Sequence, residues 1–466
     1  MTAAKCRLIA NKMGGKDLLL RKIRGGDELS GAERLKLCLM LSYPAVIAQL
    51  SSVLMQYIDT SMVGHLGASA GASIGLVSTC MWLLGGFCMA CTSGFSVQVA
   101  HLVGANDFAG ARQVLRQGLV SALAFSLVLG LIGAAVSGPL PHWLGGGEDI
   151  SKDASDYFLI CALFIPFMQM DWMCATMLQA SGEMRIPSLL NIGMCILDVG
   201  FNYLFIYILE MGVIGAALGT GLAELITAGA MFYFVSVRSP ELNLLQDKGS
   251  FRPTGQVLGK AWGISGPMAL QNILMRGAYI AATVIVAPLG TIAIAANSFA
   301  ITAESFCYMP GHGISDAATT LVGQSVGAGR KPLAKNFAWI CTGMGMTIMG
   351  LLAIVLYAFA PQIMAMLSPD EGVISLGARV LRIEAFAEVF YAASIVAYGV
   401  FVGAGDTKVP SFLNFGSMWI MRIIPAIFLT RKWGLVGFWL AMAFELSFRG
   451  IIFLVRLARG RWLSQH

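Results

Sequence analysis

The sequence predicts an all-α polytopic membrane protein, with twelve transmembrane helices arranged as two parallel six-helix lobes. Three observations lead there. The 466 residues are 57% hydrophobic and only 12% charged, outside the range of soluble globular chains. The apolar residues fall into twelve runs, each long enough to cross a bilayer as a helix of ~20 residues. The two halves of the chain also repeat one another.

In order, apolar runs bounded by glycine, proline or charge place spans at 38–63, 70–99, 113–137, 155–179, 187–209 and 212–237. A second set follows at 257–287, 293–322, 336–360, 377–402, 410–430 and 434–457. The expected organisation is a basic cytosolic tail (1–37), an N-lobe (38–237), a cytosolic linker (238–256), a C-lobe (257–457) and a short cytosolic tail (458–466). The first 37 residues hold Lys5, Arg7, Lys12, Lys16, Arg21, Lys22, Arg24, Arg34 and Lys36 and no apolar core before a cleavage-like site, so they read as a tail, solvated or lying on anionic lipid, and not as a secretory signal. With this end inside, the inner loops collect Arg112, Arg116, Arg185, Arg238, Lys248, Arg252, Arg330, Lys331 and Lys408. The acids Glu148, Asp149, Asp153 and Asp156 fall outside. This positive-inside bias places both ends in the cytoplasm of a bacterial inner (plasma) membrane.

Shifting the chain by 223 positions aligns Pro44 with Pro267, Leu66-Gly67 with Leu289-Gly290, and Val103-Gly104-Ala105 with Val326-Gly327-Ala328. The register continues from IPSLLNIG at Ile186 to VPSFLNFG at Val409. Six spans per repeat is an even number, so both halves enter from the same side. Parallel repeats of this kind relate by an axis along the membrane normal and hold their binding site between them, near the midplane.

The stretch from Pro44 to Gly67 carries a carboxylate, Asp59, well inside an apolar span, where its repeat mate is Ala282. An ionised Asp at mid-helix costs about 2.5–3.5 kcal/mol on insertion scales, so it faces protein or a watery cavity. Asp198 and Asn202 are four apart in span five, hence on one face, and Thr220 and Glu224 repeat that spacing in span six. Counted at ~1.5 Å per residue from the outer helix ends, these groups reach one depth. Two carboxylates, an amide and a hydroxyl there suit a hard monovalent cation or a carboxyl-bound proton. The bland alternative is a set of acids satisfied by hydrogen bonds alone.

Cys88-Met-Ala-Cys91 lies inside an apolar span with no second pair, so the ten cysteines read as small buried hydrophobes. The chain lacks a nucleotide-binding loop, nucleophile elbow or metalloprotease motif, which argues against an enzyme, and its basic residues sit in short loops, which argues against nucleic acid.

The residues YIDTSMVGHLG, the loop VGANDFAGAR with its echo VGAGRKPLAK, and VGAGDTKVPS before span eleven resemble the multidrug and toxic compound extrusion (MATE) transporters, closest to the bacterial DinF-like branch. The resemblance runs from about Ser30 to Arg456 and includes the six-plus-six layout. It implies a cation site at Asp59, Asp198, Asn202 and Thr220, taking H⁺ or Na⁺ as coupling ion and no other cofactor. The span-five pair is swapped, with Asp198 where the family amide would sit and Asn202 where the acid would sit. The C-lobe departs from the branch that uses acids in spans seven and ten: Met275 stands at the span-seven position, beside Arg276. Glu384 and Glu388 in span ten could pair with Arg276, so Glu224, Arg276, Glu384 and Glu388 are candidates for coupling or for support of the site. Asp171 in span four, and Arg422 and Glu445, read as structural. His312 and Asp316, after the Pro310-Gly311 break, read as a kink with a local hydrogen bond.

Met55, Met62, Met173 and Met177 are weaker candidates for a soft substrate cavity, against gap-filling between helices. Pro44 and Pro267 are candidate bends. The expected function is a secondary active multidrug efflux transporter, a monomer in the lipid bilayer, exporting organic cationic, amphipathic small molecules in antiport with H⁺ or Na⁺. Two rivals stand beside it. A lipid-linked oligosaccharide flippase would need a strongly cationic cavity, for which Arg276 and Arg422 are the candidates. A receptor or channel-like protein would need neither the repeat nor the acid cluster.

Overall fold

The computed structural model describes residues 15–463. Lys5, Arg7 and Lys12 of the basic tail lie outside the described residues. A first helix, α1 (Gly15–Gly25), precedes the spans. Span one is Gly31–Gly64, span two Ala68–Gly104, span three Phe108–Val136 and span four Glu148–Ala180. Span five is Arg185–Tyr203 with a wider π turn at Leu204–Ile208, and span six is Gly212–Tyr233 with another at Phe234–Arg238. Gly255–Val286, Thr291–Gly327, Lys331–Leu367 and Glu371–Gly403 are spans seven to ten. The last two spans form one continuous run, Lys408–Arg459, interrupted at Gly434 (φ 58°, ψ −140°).

Spans one, three, four, nine and ten begin five to seven residues before the apolar stretch does, and in spans one, three and ten a polar side chain caps the start. Span one was expected from residue 38 and starts at Gly31. There the Ser30 hydroxyl accepts from the Glu33 amide (3.2 Å) and the Glu33 carboxylate accepts from the Ser30 amide (2.9 Å). This reciprocal cap satisfies two of the donors that a helix start leaves bare. Asp107 caps span three by a single bond from the Gly110 amide (2.9 Å), and Asp370 caps span ten by one from the Val373 amide (3.0 Å).

The repeat is written into the backbone. Left-handed residues recur at the same shift: Gly67 and Gly290 (φ 111° and 93°), Asn106 and Gly329 (60° and 72°), Gly182 and Gly405 (95° and 79°). Gly212 and Gly434 (57° and 58°) recur after 222 residues. Each ends or breaks a helix where a residue with a β-carbon is strained, and asparagine, at 106, is the side chain that tolerates the conformation best.

Spans one, two and four to six pack together in the N-lobe with span three behind, and spans seven to twelve form the other lobe. The lobes meet along spans one and eight and along spans two, seven and eight. Among the described residues, the hydrogen bonds that join the lobes lie between mid-span and the face that carries both chain ends, here the terminal face. Asn272 donates to the Gly86 carbonyl (2.9 Å), Gln98 to that of Val257 (3.2 Å) and Thr320 to that of Gln179 (3.0 Å). At the terminal ends of spans two and eight the contact is two-fold symmetric. Gln324 Nε2 donates to the Ala180 carbonyl (2.8 Å), and its repeat mate His101 meets the Gly403 carbonyl through Nε2 (2.8 Å). A Cβ on Gly104 would strike the Gln324 carbonyl, and one on Gly327 would strike that of His101, so glycine is required at both crossings.

The basic tail differs from expectation. Leu19, Leu20 and Ile23 of α1 are buried in one apolar cluster with Leu37, Cys38 and Leu41 of span one and with Leu333, Phe337, Phe401 and Trp462. The hydrophobic spacing within GKDLLLRKIRG makes a one-sided helix, and that side is covered by protein. The nine described cysteines with assigned thiols are free, and most are buried.

Candidate functional site

Asp59 sits 28 residues into span one, on the side facing span five (59 − 31 = 28). Span five brings Asp198 and Asn202 to the same place, and both are fully buried. The Asn202 amide nitrogen donates to Asp59 Oδ1 (3.1 Å) and to Asp198 Oδ2 (3.2 Å), bridging the two carboxylates. The amide fits because span six presents Gly219 there: a Cβ on Gly219 would strike Asn202 Oδ1. Thr220, the next residue, lies in interaction range of Asp198, as does Asp59. Four residues predicted from three different spans therefore meet in one cluster.

The electrostatics of this cluster are unusual in one respect. No lysine, arginine or histidine forms an ion pair with Asp59 or Asp198 among the described residues. Asp198 Oδ1 and Asn202 Oδ1 are buried without a hydrogen-bond partner. Asp198 is fully buried and Asp59 half-exposed beside it, and two like charges this close call for compensation, since burying an ion costs several kcal/mol. The arrangement therefore calls for a proton on a carboxyl or a small cation among the oxygens. Hard oxygen donors, with two of them unpartnered, fit either.

Glu224, one turn beyond Thr220, has its Oε2 buried without a partner, and so does Asp171 at its Oδ1. They stand within electrostatic reach of one another, between spans four and six, and extend the acidic lining of the N-lobe. The structural reading of Asp171 therefore lacks the expected partner.

The C-lobe corrects two expectations. Arg276 pairs with neither Glu384 nor Glu388. Its guanidinium lies over the rings of Trp82 (5.6 Å) and Tyr279 (5.7 Å), because span seven turns it toward span two and away from span ten. Glu384 and Glu388 instead join Glu304 of span eight, all three buried, with one carboxylate oxygen from each within 4.8 Å of the others. All four oxygens of Glu384 and Glu388 lack a hydrogen-bond partner. The spacing argument missed Glu304 because it looked for an acid in span seven. The available signal was a lone carboxylate in the middle of an apolar span, the same one that marked Asp59.

Arg422 and Glu445 form the structural pair expected of them. Arg422 donates to Glu445 Oε2 through Nη2 (2.7 Å) and Nε (3.2 Å), Arg449 lies 3.2 Å from Oε1, and the Ser417 hydroxyl donates to that same oxygen (2.7 Å). Asp316 accepts from Gln49 of span one (3.5 Å) and not from His312, whose ring meets Tyr308 edge-on. Asp316 thus serves an interlobe contact, while His312 packs on a residue of its own span.

Met173 and Met177 are fully buried in the core of spans two to four, packed with Phe95, Val99 and Leu115, as the gap-filling alternative has it. Their positions on span four face inward because the span is flanked on both sides within its lobe. Met62 packs beside Val63, Ala70 and Ile206, and Met55 stays half-exposed one turn from Asp59.

Comparison with known proteins adds a frame. A family model described as MatE matches residues 44–204 and 267–428, two stretches whose starts differ by the same 223 positions as the repeat. The chain is 26% identical over 440 residues to a probable multidrug resistance protein NorM of Thermotoga maritima, covering 91% of this chain and 92% of that one. It is 22% identical to the multidrug resistance protein MdtK of Yersinia pestis, covering 92% and 95%. Among solved structures, a MATE protein in complex with MaL6 superposes with a TM-score of 0.88 at 19% identity, covering 98% of this chain and all of that one. A mutant of the Vibrio cholerae MATE transporter VcmN gives 0.85 at 18%, covering 92% and 97%.

Proposed function

Because this chain belongs to the MatE family, we propose that it is a secondary active multidrug efflux transporter that exports amphipathic organic compounds in exchange for H⁺ or Na⁺. The relatives named as multidrug resistance proteins support export as the activity. The single observation that carries the coupling is the amide-bridged pair Asp59–Asn202–Asp198, in which Asp59 is half-exposed, Asp198 and Asn202 are buried, and neither acid has a basic partner among the described residues.

The chain's own residues account for the exchange as follows. Asp59, Asp198, Asn202 and Thr220 offer oxygens to the coupling ion, which supplies only the positive charge that lets the two carboxylates stay side by side. Span one contributes one acid and span five the other, so binding at the bridge draws these spans together. Export is coupled when the ion and the organic substrate favour different arrangements of the same helices. The terminal face is the cytoplasmic one in this reading, because the basic loops cluster there. The ion then binds from the opposite face, where the membrane potential contributes about 2.3 kcal/mol per charge per 100 mV. Glu304, Glu384 and Glu388 give the C-lobe a second acidic cluster, available to organic cations or to a second ion.

The flippase reading is disfavoured by the arginines. Arg422 is committed to Glu445, which leaves of the two candidates Arg276, half-exposed over the rings of Trp82 and Tyr279, and one guanidinium falls short of the strongly cationic cavity a pyrophosphate needs. The test is substrate efflux from vesicles under an imposed ion gradient with Asp59→Asn. Gradient-driven export is expected to be lost while protein level and fold are kept. Undiminished gradient-driven export would remove Asp59 from the mechanism.

A further inference from the structure

The helix α1 lies across the joint between the lobes and touches both. Toward the N-lobe its apolar side packs with Leu37, Cys38 and Leu41 of span one, and ionic and polar contacts are added. Lys16 Nζ lies 2.5 Å from Glu183 Oε2, in the turn between spans four and five. Arg24 Nη1 lies 3.0 Å from Glu241 Oε1, in the linker after span six, and its Nη2 donates to the Ser181 carbonyl (3.0 Å). Asn106, in the turn after span two, donates to the Arg24 carbonyl (2.9 Å). Toward the C-lobe the contact is mostly apolar: Leu19, Leu20 and Ile23 are buried with Leu333, Phe337, Phe401 and Trp462. Arg330, in the turn after span eight, adds bonds to the carbonyls of Lys22 (3.0 Å) and Ile23 (3.3 Å). Gly182 approaches so closely that a Cβ there would meet Leu20 Cδ1 at 2.5 Å.

We infer that α1 is a latch: its apolar side is buried between span one and the C-lobe, and Lys16–Glu183 and Arg24–Glu241 fasten it to the rest of the N-lobe, restraining separation of the lobes at the terminal face. The inference rests on the transport reading above only in assuming that this face opens during the cycle. When it opens, α1 must leave one lobe. The side chains of Lys16 and Arg24 are only 9% and 7% exposed, so opening this face must break either these pairs or the apolar contact with Leu333, Phe337, Phe401 and Trp462, and both oppose it. Glu183 sits two residues before span five, the helix that carries Asp198 and Asn202. A displacement of that helix at its ion-binding end therefore reaches the latch directly. Lys16, Glu183, Arg24 and Glu241 are positioning residues; none touches the ion or the substrate.

The experiment uses the full-length protein in lipid nanodiscs. Hydrogen–deuterium exchange is followed in peptides spanning Gly104 and Gly327, and efflux kinetics are measured in parallel. Glu183→Lys is expected to raise exchange there by at least about fivefold, the upper end for an exposed ion pair and a floor for one whose lysine side chain is 9% exposed, and to lower the apparent KM for substrate offered at the terminal face. Adding Lys16→Glu restores the pair with its charges exchanged and should return both readings to within about twofold of the parent. The swap Arg24→Glu with Glu241→Arg serves as an independent second pair. Unchanged exchange in Glu183→Lys, or raised exchange that neither swap restores, overturns the latch. An unmodified protein that exports nothing would count against the transport reading, while the exchange data would still judge the latch.

Discussion

Asn202 offers the sharpest quantitative test of the cation cluster. Its amide is the one group that donates to both carboxylates, at 3.1 Å to Asp59 and 3.2 Å to Asp198. Hydrogen bonds to charged groups contribute about 1.5–3 kcal/mol each, so Asn202→Ala removes about 3–6 kcal/mol of gross interaction. Only the part that differs between ion-loaded and ion-free states changes affinity. If that part is as small as about 1.4 kcal/mol, the ion concentration for half-maximal efflux rises tenfold. The assay is ion-driven efflux in reconstituted vesicles at saturating substrate, titrated with H⁺ and with Na⁺ separately. Asn191→Ala is the matched control. Asn191 lies three turns earlier on the same face of span five and donates to the Ser52 hydroxyl of span one (3.3 Å), joining the same two helices without touching either acid. The bridge argument requires a tenfold or larger shift for Asn202→Ala and less than about twofold for Asn191→Ala. Equal shifts, or none at residue 202, would refute it.

Other perturbations separate structural from functional charge. Glu445→Gln should cost about 3–5 kcal/mol, because it leaves Arg422 and Arg449 buried without their shared acid; a thermal unfolding midpoint like that of the parent would contradict the pairing. Glu384→Gln should raise thermal stability by about 1 kcal/mol, since it removes one of three mutually repelling acids whose oxygens have no partner; a loss of stability would mean the acid is paired. In the linker, hydrogen bonds from Arg116 and then Arg112 hold the Asp247 carboxyl below its usual range. A lowered value means the ordering it provides is present above the unfolded-state value of about 4 and is lost as pH falls through the folded one. Proteolysis of the linker should therefore accelerate in acid and be fast at neutral pH in Asp247→Asn; a pH-independent rate in the parent would refute the assignment.

Much of the architecture was legible because a bilayer leaves few choices. Backbone polar groups must be satisfied within each segment, so long apolar runs become helices, and the 223-residue repeat fixes how they group. Helix starts were less legible: Ser30 and Glu33 begin span one by a polar cap that a hydropathy reading passes over. The N-lobe cluster was readable because Asp59, Asp198 and Asn202 are polar residues in apolar helices, at spacings that fix their face and depth. The C-lobe cluster was only half readable. Glu304 obeys the same rule, but Arg276 suggested an ion pair that helix rotation denies to Glu384 and Glu388. Met173 and Met177 show the same limit, since composition marks a soft side chain and says nothing about which way it points.

The sequence by itself determined the number of spans, the duplication and the depth of the acids, because each follows from spacing along a helix of known rise. The tertiary structure alone decided which oxygens meet, which arginine answers which acid, and that α1 belongs to the core and not to the solvent. Those are contacts between segments more than a hundred residues apart, such as Asp59 with Asn202 and Lys16 with Glu183. They depend on how each helix is rotated about its axis, and rotation is set by the packing of all neighbours at once, close approaches at Gly104, Gly219 and Gly327 included.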